Sequence, residues 1–311
     1  MKIALVQTAP VLLDRAATTE KLLAAAHEAI AAGAQLLVFP EAILPGYPFW
    51  LDPGGGARFN HDPNKRWFAR YARAAVQLER GDLDPFAALT ASGEVAIYLG
   101  TIERAADRGG HSLYCSLVYL ADGAVRNVHR KLMPTYEERL VWSPGDGHGL
   151  RTFAFGGFTL GGLNCWENWM PLPRAALYAL GENVHVAVWP GNRRNTEILT
   201  RFLAREGRSY VLSCCGVFGR ADFPADAPEF RALMDHSPAV FADGGSCVAN
   251  PDGTWLVEPQ CRGEAIIYAD LDPDFVLRER QNFDPAGHYS RPDVTQLHVN
   301  RERQGTVRFA P

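Results

Sequence analysis

The 311-residue chain lacks several features that would each point to a class of function. No apolar run approaches the roughly 20 residues needed to span a bilayer, so no membrane role is expected. The first residues, Met1–Gln7, read as a strand at once and leave no place for a secretory leader. An excess of one charge is also missing. The 31 Lys and Arg are interleaved with 35 Asp and Glu, which gives a net charge of −4 and no electrostatic footprint for nucleic acid. The six cysteines (Cys115, Cys165, Cys214, Cys215, Cys247 and Cys261) form no C-x-x-C pair, and no N-x-S/T site occurs. Reduced thiols in a cytoplasm are therefore expected. The nine histidines are scattered, without H-E-x-x-H or a Cys/His cluster, so no metal and no cofactor is expected. Gly54–Gly56 and Gly145–Gly149 match neither a phosphate loop nor a dinucleotide fingerprint and read as loops.

What is present is a large apolar fraction, 47%, enough for one substantial core. Strands are expected at Lys2–Gln7, Gln35–Phe39, Glu94–Ile102, Ser112–Leu120 and Val125–His129, the last two joined by the hairpin signal Asp122-Gly123. Further strands are expected at Phe158–Leu160, Val184–Trp189, Tyr210–Val217, Gly245–Asn250, Thr254–Val257 and Glu264–Leu271. Helical spacing marks Thr18–Ala32, Asn64–Arg80, Pro171–Leu180, Glu197–Arg208 and Pro273–Gln281. The order suggests two similar halves whose strands are apolar on both faces. A four-layer α-β-β-α sandwich of the α/β class satisfies that burial. Residues 1–283 form one expected catalytic domain, and 284–311 an aperiodic tail expected to pack on a neighbouring subunit.

One stretch organises the rest. Phe158–Leu160 runs into Gly161-Gly162-Leu163-Asn164-Cys165-Trp166-Glu167-Asn168, and a helix begins near Pro171. A cysteine at a strand-to-helix handover meets free backbone N–H groups and a positive helix end, both of which favour a thiolate. The paired glycines are read as letting a ligand approach the backbone. A lone buried cysteine usually just packs, so its company decides. Glu41 stands just past a buried strand, where ligands of parallel sheets collect, and Lys131 ends another strand.

Three segments together carry a resemblance: Phe39-Pro40-Glu41-Ala42 with Pro45–Pro48, His129–Thr135 with Glu138-Arg139, and Asn164–Asn168 with Met170-Pro171-Leu172. The chain resembles the nitrilase superfamily of carbon–nitrogen hydrolases, and its true nitrilase branch most closely, from the first strand to about Val299. The resemblance implies Cys165 as nucleophile, Glu41 as general base, Lys131 as the cation that stabilises developing negative charge, and Glu138 as a second carboxylate. It implies a thioimidate, then a thioester, with the Trp166 backbone N–H as a further oxyanion donor. Tyr47, Trp50, Tyr136, Trp142 and Trp189 are expected to line an aryl- or arylaliphatic-accepting pocket. No role is read from Asn168. An amidase or N-carbamoyl amidohydrolase uses the same triad, and a non-catalytic assembly protein is a reading of another class. The expected partners are a small nitrile and further copies of the chain, as a homodimer or higher homo-oligomer.

Overall fold

The computed structural model describes residues 1–224, 237–261 and 263–307. Two six-stranded sheets face each other, with helices outside both. The first contains β1 (Lys2–Gln7), β2 (Leu36–Val38), β3 (Ala96–Arg104), β4 (Leu113–Ala121) and β5 (Ala124–Arg130). The second contains β6 (Phe153–Phe155), β7 (Phe158–Asn164), β8 (Val184–Trp189) and β9 (Tyr210–Cys215). A small pair, β10 (Val217–Gly219) and β11 (Val240–Asp243), precedes β12 (Ser246–Ala249) and β13 (Trp255–Gln260), and β14 (Ala265–Asp270) returns to the first sheet. The orders are β14-β1-β2-β3-β4-β5 and β13-β12-β9-β8-β7-β6. Each sheet has three parallel central strands flanked by antiparallel ones, so the two halves do resemble each other.

The burial follows the alternation of the strands. Ile3 and Leu5 of β1 face the second sheet and meet Leu160, Val186 and Leu212, while Ala4 and Val6 face outward. The outward residues are covered by α1 (Arg15–Ala31) through Leu22 and Ala26. Helices α2 (Asp62–Ala74) and α3 (Asp84–Leu89) complete that side, and α4 (Pro171–Ala179) and α5 (Arg193–Gly207) cover the second sheet. Cys214 lies in the inter-sheet core and Cys215 under α5, as adjacent residues of one strand must.

Several boundaries differ from expectation. Helix α2 stops at Ala74 because Ala75 turns to an extended conformation and Val76 pairs with β3 through Ile102. The expected strand Tyr210–Val217 breaks at Gly216, and its continuation pairs with β11 instead. The strand β6 and the helix α3 were not anticipated; at three and six residues both are too short to show periodicity.

The tail follows α6 (Pro273–Asn282) and is exposed over residues 291–302. It returns to its own chain at Arg303, whose guanidinium meets Asp146 Oδ1 at 2.9 Å and the Val128 carbonyl at 3.2 Å. Residues 308–311 of the expected tail lie outside the described residues.

Candidate active site

The ends of three strands deliver the site. Glu41 follows β2, Lys131 follows β5 and Cys165 follows β7. Glu41 can stand there because β3 carries Gly100: a Cβ on Gly100 would fall 2.1 Å from the Pro40 carbonyl oxygen and 2.7 Å from Glu41 Cα. The four side chains Glu41, Lys131, Glu138 and Cys165 are all buried and come together. Lys131 Nζ donates to Glu41 Oε1 at 2.9 Å and to Glu138 Oε2 at 2.7 Å. Polar atoms of Glu41, Glu138 and Cys165 all lie within 4.8 Å of one another. Such a set could hold a metal ion, but the Lys131 ammonium already supplies the cation between the two carboxylates.

Two local motifs fix this geometry. Thr135-Tyr136-Glu137-Glu138 is a capping box in which Glu138 Oε2 also accepts from the Thr135 N–H at 2.6 Å. Tyr47 holds the other oxygen of Glu138 at 2.9 Å. Asn164-Cys165-Trp166-Glu167 is a second box, and Glu167 does more than cap. Its oxygens accept from the Asn164 N–H at 2.9 Å and the Leu132 N–H at 2.6 Å, and both meet His129 Nε2 at 3.2 Å. Glu167 thus ties the cysteine turn to the lysine loop. Sequence reasoning missed this, although the N-x-x-E spacing signalled the box.

The electrostatics bring Glu41 toward neutrality. Burial raises its pKa, the Lys131 ammonium pulls it down and Glu138 pushes it up, leaving it at about 7. Its Oε2 has no hydrogen-bond partner. Burial works against the charge on Lys131, but Glu41, Cys165 and Glu138 outweigh it and raise its pKa well above the ordinary value. For Cys165, burial and the nearby Glu41 carboxylate push the thiol well up, against Lys131 and the Trp166 backbone N–H.

That last result corrects the expectation of a thiolate held by a helix end. Cys165 opens a 3-10 turn, Cys165–Trp169, and α4 starts only at Pro171, whose ring nitrogen offers no hydrogen. These surroundings favour a thiol beside the Glu41 carboxyl over a stabilised anion. The paired glycines also serve another purpose than ligand approach. A Cβ at Gly161 would lie 2.1 Å from Glu182 Oε1, and one at Gly162 would lie 2.8 Å from the Val186 carbonyl oxygen.

Residues 2–280 match the family described as carbon–nitrogen hydrolase. The chain belongs to that family. Its relatives place it in the nitrilase branch. It is 39% identical to an aliphatic nitrilase of Sinorhizobium fredii, covering 98% of this chain and 97% of that protein. It is 36% identical to nitrilase 2 of Arabidopsis thaliana, covering 98% and 90% respectively. Among solved structures, Nit3 of Saccharomyces cerevisiae, a member of branch 10 of the nitrilase superfamily, superposes with a TM-score of 0.69 at 19% identity, over 93% of this chain and 96% of that one. An amidase from Nesterenkonia sp. AN1 superposes with a TM-score of 0.65, over 91% and 97%, also at 19% identity. These two likenesses establish the α-β-β-α fold shared across carbon–nitrogen hydrolases.

In this family member a cleft of about 580 Å³ leads to the sulfur. Of the aromatics expected to line a pocket, Tyr47 and Tyr136 face it, Trp166 stands beside them, and Tyr136 is 82% exposed. Trp142, Trp189 and Trp50 do not line it. Trp142 lies buried behind the site, its ring 5.5 Å from Lys131 Nζ and its Nε1 donating to Tyr71 at 3.1 Å. Trp189 belongs to the core beneath Cys165 and donates to Ser213 Oγ at 3.3 Å. Trp50 packs on Tyr71 and Trp67. Each is large and apolar enough that the core outcompetes the cleft for it. Phe49, Phe241, Pro190, Asn192 and Arg194 are among the other residues of the wall. Phe241 sits on β11, far along the chain, and nothing local to it signals a pocket.

Backbone strain collects here. Eight described non-glycine residues have positive φ, and Ala42, Tyr136, Cys165 and Asn192, at 52°, 44°, 43° and 86°, belong to the site or adjoin it. Each such residue costs about 1–3 kcal/mol and persists only where its surroundings over-determine it.

Proposed function

We propose that the chain hydrolyses an organic nitrile to a carboxylic acid and ammonia, with aryl or arylaliphatic nitriles preferred. The observation that carries this reading is the gathering of Glu41, which keeps one unpaired oxygen, Glu138 and the Lys131 ammonium around the Cys165 thiol at the floor of an aromatic cleft. The relatives named as nitrilases support the nitrile. Tyr47, Phe49, Tyr136, Trp166 and Phe241 support the aromatic preference.

Glu41 takes the thiol proton as sulfur attacks the nitrile carbon, and that proton passes to the nitrogen to give a neutral thioimidate. Two of the three Lys131 protons already go to carboxylates, which leaves the third for the substrate nitrogen or oxyanion. Glu41 next takes a proton from water while hydroxide adds to the carbon. Glu41 returns that proton to the nitrogen and then relays the new hydroxyl's proton to it, so that ammonia leaves with the C–N electron pair as the carbonyl of a thioester forms. A second water, deprotonated by Glu41, displaces the sulfur, and the acid and the thiol are restored. A base with a pKa near 7 can take and return a proton at each of these steps.

The test offers matched nitriles and amides, each in aryl, arylaliphatic and small aliphatic form, and measures ammonia. Turnover of the arylaliphatic nitrile is expected to be highest. Turnover of amides alone would make the chain an amidase, and no turnover of any would favour a binding role. A best rate on small aliphatic nitriles, the class named for the Sinorhizobium relative, would remove the aromatic preference.

The tail is proposed to complete a homo-oligomer. Leu172 and Leu180 of the α4 region and Leu297 and Val299 of the tail are exposed around one groove of about 850 Å³, and a second copy would cover them. Truncation after Phe283 should lower the mass found by light scattering, and an unchanged mass would remove the tail from the interface. All described helices are too short or too polar to cross a membrane, and all six cysteines are free thiols, which a cytoplasm would maintain.

A further inference from the structure

Next to Cys165 lies a second cluster of buried polar side chains that the hydrolytic scheme does not use and that does not line the cleft. Asn168 Nδ2 donates to the Cys165 carbonyl at 2.7 Å and reaches the Leu163 carbonyl at 3.4 Å. Asn168 Oδ1 meets His185 Nε2 at 2.7 Å, and His185 Nδ1 meets Glu182 Oε1 at 2.9 Å. All three side chains belong to buried residues. The cluster is accommodated by the fold: Gly161 lacks a Cβ where one would strike the Glu182 carboxylate, and Arg174 Nη1 secures the Asn168 carbonyl at 2.8 Å.

The direction of each bond follows from proton accounting. Both Asn168 Nδ2 contacts are to carbonyls, so Oδ1 is its acceptor and His185 Nε2 carries hydrogen. With hydrogen on Nε2 alone, His185 would set a lone pair against the Glu182 carboxylate. One further proton therefore lies between His185 Nδ1 and Glu182 Oε1. Whichever of the two owns it, His185 Nε2 donates to Asn168 and Asn168 donates on to the carbonyl of the reacting residue.

We infer that Asn168, His185 and Glu182 are positioning residues that hold Cys165 in its left-handed conformation. Cys165 at φ 43° has its sulfur placed beside Glu41 only while the peptide that follows stays in this orientation. Asn168 grips that peptide by its oxygen, and His185 and Glu182 keep Asn168 from turning its amide over. The inference rests on the reading of Cys165 as the nucleophile.

The decisive variant is Asn168→Asp, which keeps volume and the His185 contact but sets an oxygen against the Cys165 carbonyl. Labelling of Cys165 by iodoacetamide, followed by peptide mass spectrometry, should slow by about tenfold, with kcat falling comparably and KM changing by less than about twofold. Glu182→Gln can donate to His185 Nδ1 and preserve the chain without the shared proton, so it should stay within about threefold of the unaltered protein. Glu182→Leu should behave like Asn168→Asp. A folded Asn168→Asp protein whose Cys165 labels at the unaltered rate overturns the inference, even if its melting temperature has dropped. Glu182→Gln falling as far as Glu182→Leu overturns the donor chain. If Glu182→Leu does not fold, the near-isosteric pair still decides. Unaltered protein whose Cys165 labels no faster than the buried Cys214 would instead overturn the nucleophile reading itself.

Discussion

Arg130 and Lys131 are neighbours at the end of β5, and each is a buried cation between two carboxylates. Successive side chains of an extended segment point to opposite sides, so the two centres share a backbone but not a space. Arg130 commits four of its five N–H groups to carboxylates: its guanidinium meets Glu103 at 2.8 and 2.6 Å and Asp107 at 3.1 and 2.8 Å, and it lies over the Tyr114 ring. Ser116 donates a further bond to Glu103 at 2.8 Å. The Lys131 centre is incomplete. It has a three-proton point charge in place of a planar fork, a Glu41 oxygen without a partner, and an opening to a cleft. Burial and ion pairing are common to both, so neither marks a reactive site. What sets the Lys131 centre apart is unspent hydrogen-bonding capacity beside a thiol, the feature on which the proposed chemistry rests.

This contrast can be broken by substitution. Cys165→Ala should lower ammonia release by at least about a thousandfold while the protein folds, since it removes one sulfur from a turn held by Glu167 and Asn168. Unchanged turnover would dismiss the covalent scheme. Lys131→Met should lower kcat by about 100- to 1000-fold, the scale of a lost oxyanion donor. Arg130→Met should do the reverse. Leaving Glu103 and Asp107 without their cation should cost about 3–5 kcal/mol in urea unfolding, while the folded fraction keeps kcat within about threefold. If Arg130→Met instead cost turnover alone, the two centres would not be different in kind.

The raised pKa of Glu41 sharpens the comparison through pH. A base must be unprotonated, so kcat/KM should fall about tenfold per pH unit below about 7 and level off above it. For stability, the folded state holds a proton on Glu41 up to about 7 that the unfolded chain releases near its ordinary value. The folded state therefore binds more protons across that window, and this contribution to stability is lost as pH rises through about 7. Glu41→Gln should flatten the decline, as urea unfolding at pH 5 and pH 8 would show. The smallest effect concerns substrate choice. Phe241→Ala should raise KM for an arylaliphatic nitrile by several-fold, about the worth of one lost aromatic contact, and Trp50→Phe should leave KM unchanged.

Much of the arrangement was legible because its signals are local. The apolar runs of β1, β2, β7 and β8, the capping residues, and the positions of Glu41, Lys131 and Cys165 at strand ends can all be read over a few residues. Glu167 was legible in principle through its box spacing. The aromatic residues were not, because a tryptophan in a loop and one in the core look alike until the neighbours are known. Asn168 gave no sign of its grip on the Cys165 carbonyl, since its partner His185 lies 17 residues on, in another strand.

The sequence by itself determined the order of strands and turns and the double-faced burial that requires four layers, since side-chain periodicity and capping chemistry are short-range. Tertiary structure decided the rest. Glu41 and Lys131 are 90 residues apart, and only the pairing of β2 with β3, β3 with β4 and β4 with β5 brings them to 2.9 Å. Which oxygen of Glu41 stays unpaired, which aromatics reach the cleft and how high the Cys165 thiol is pushed depend on burial and on several partners at once, and no local run of residues encodes these.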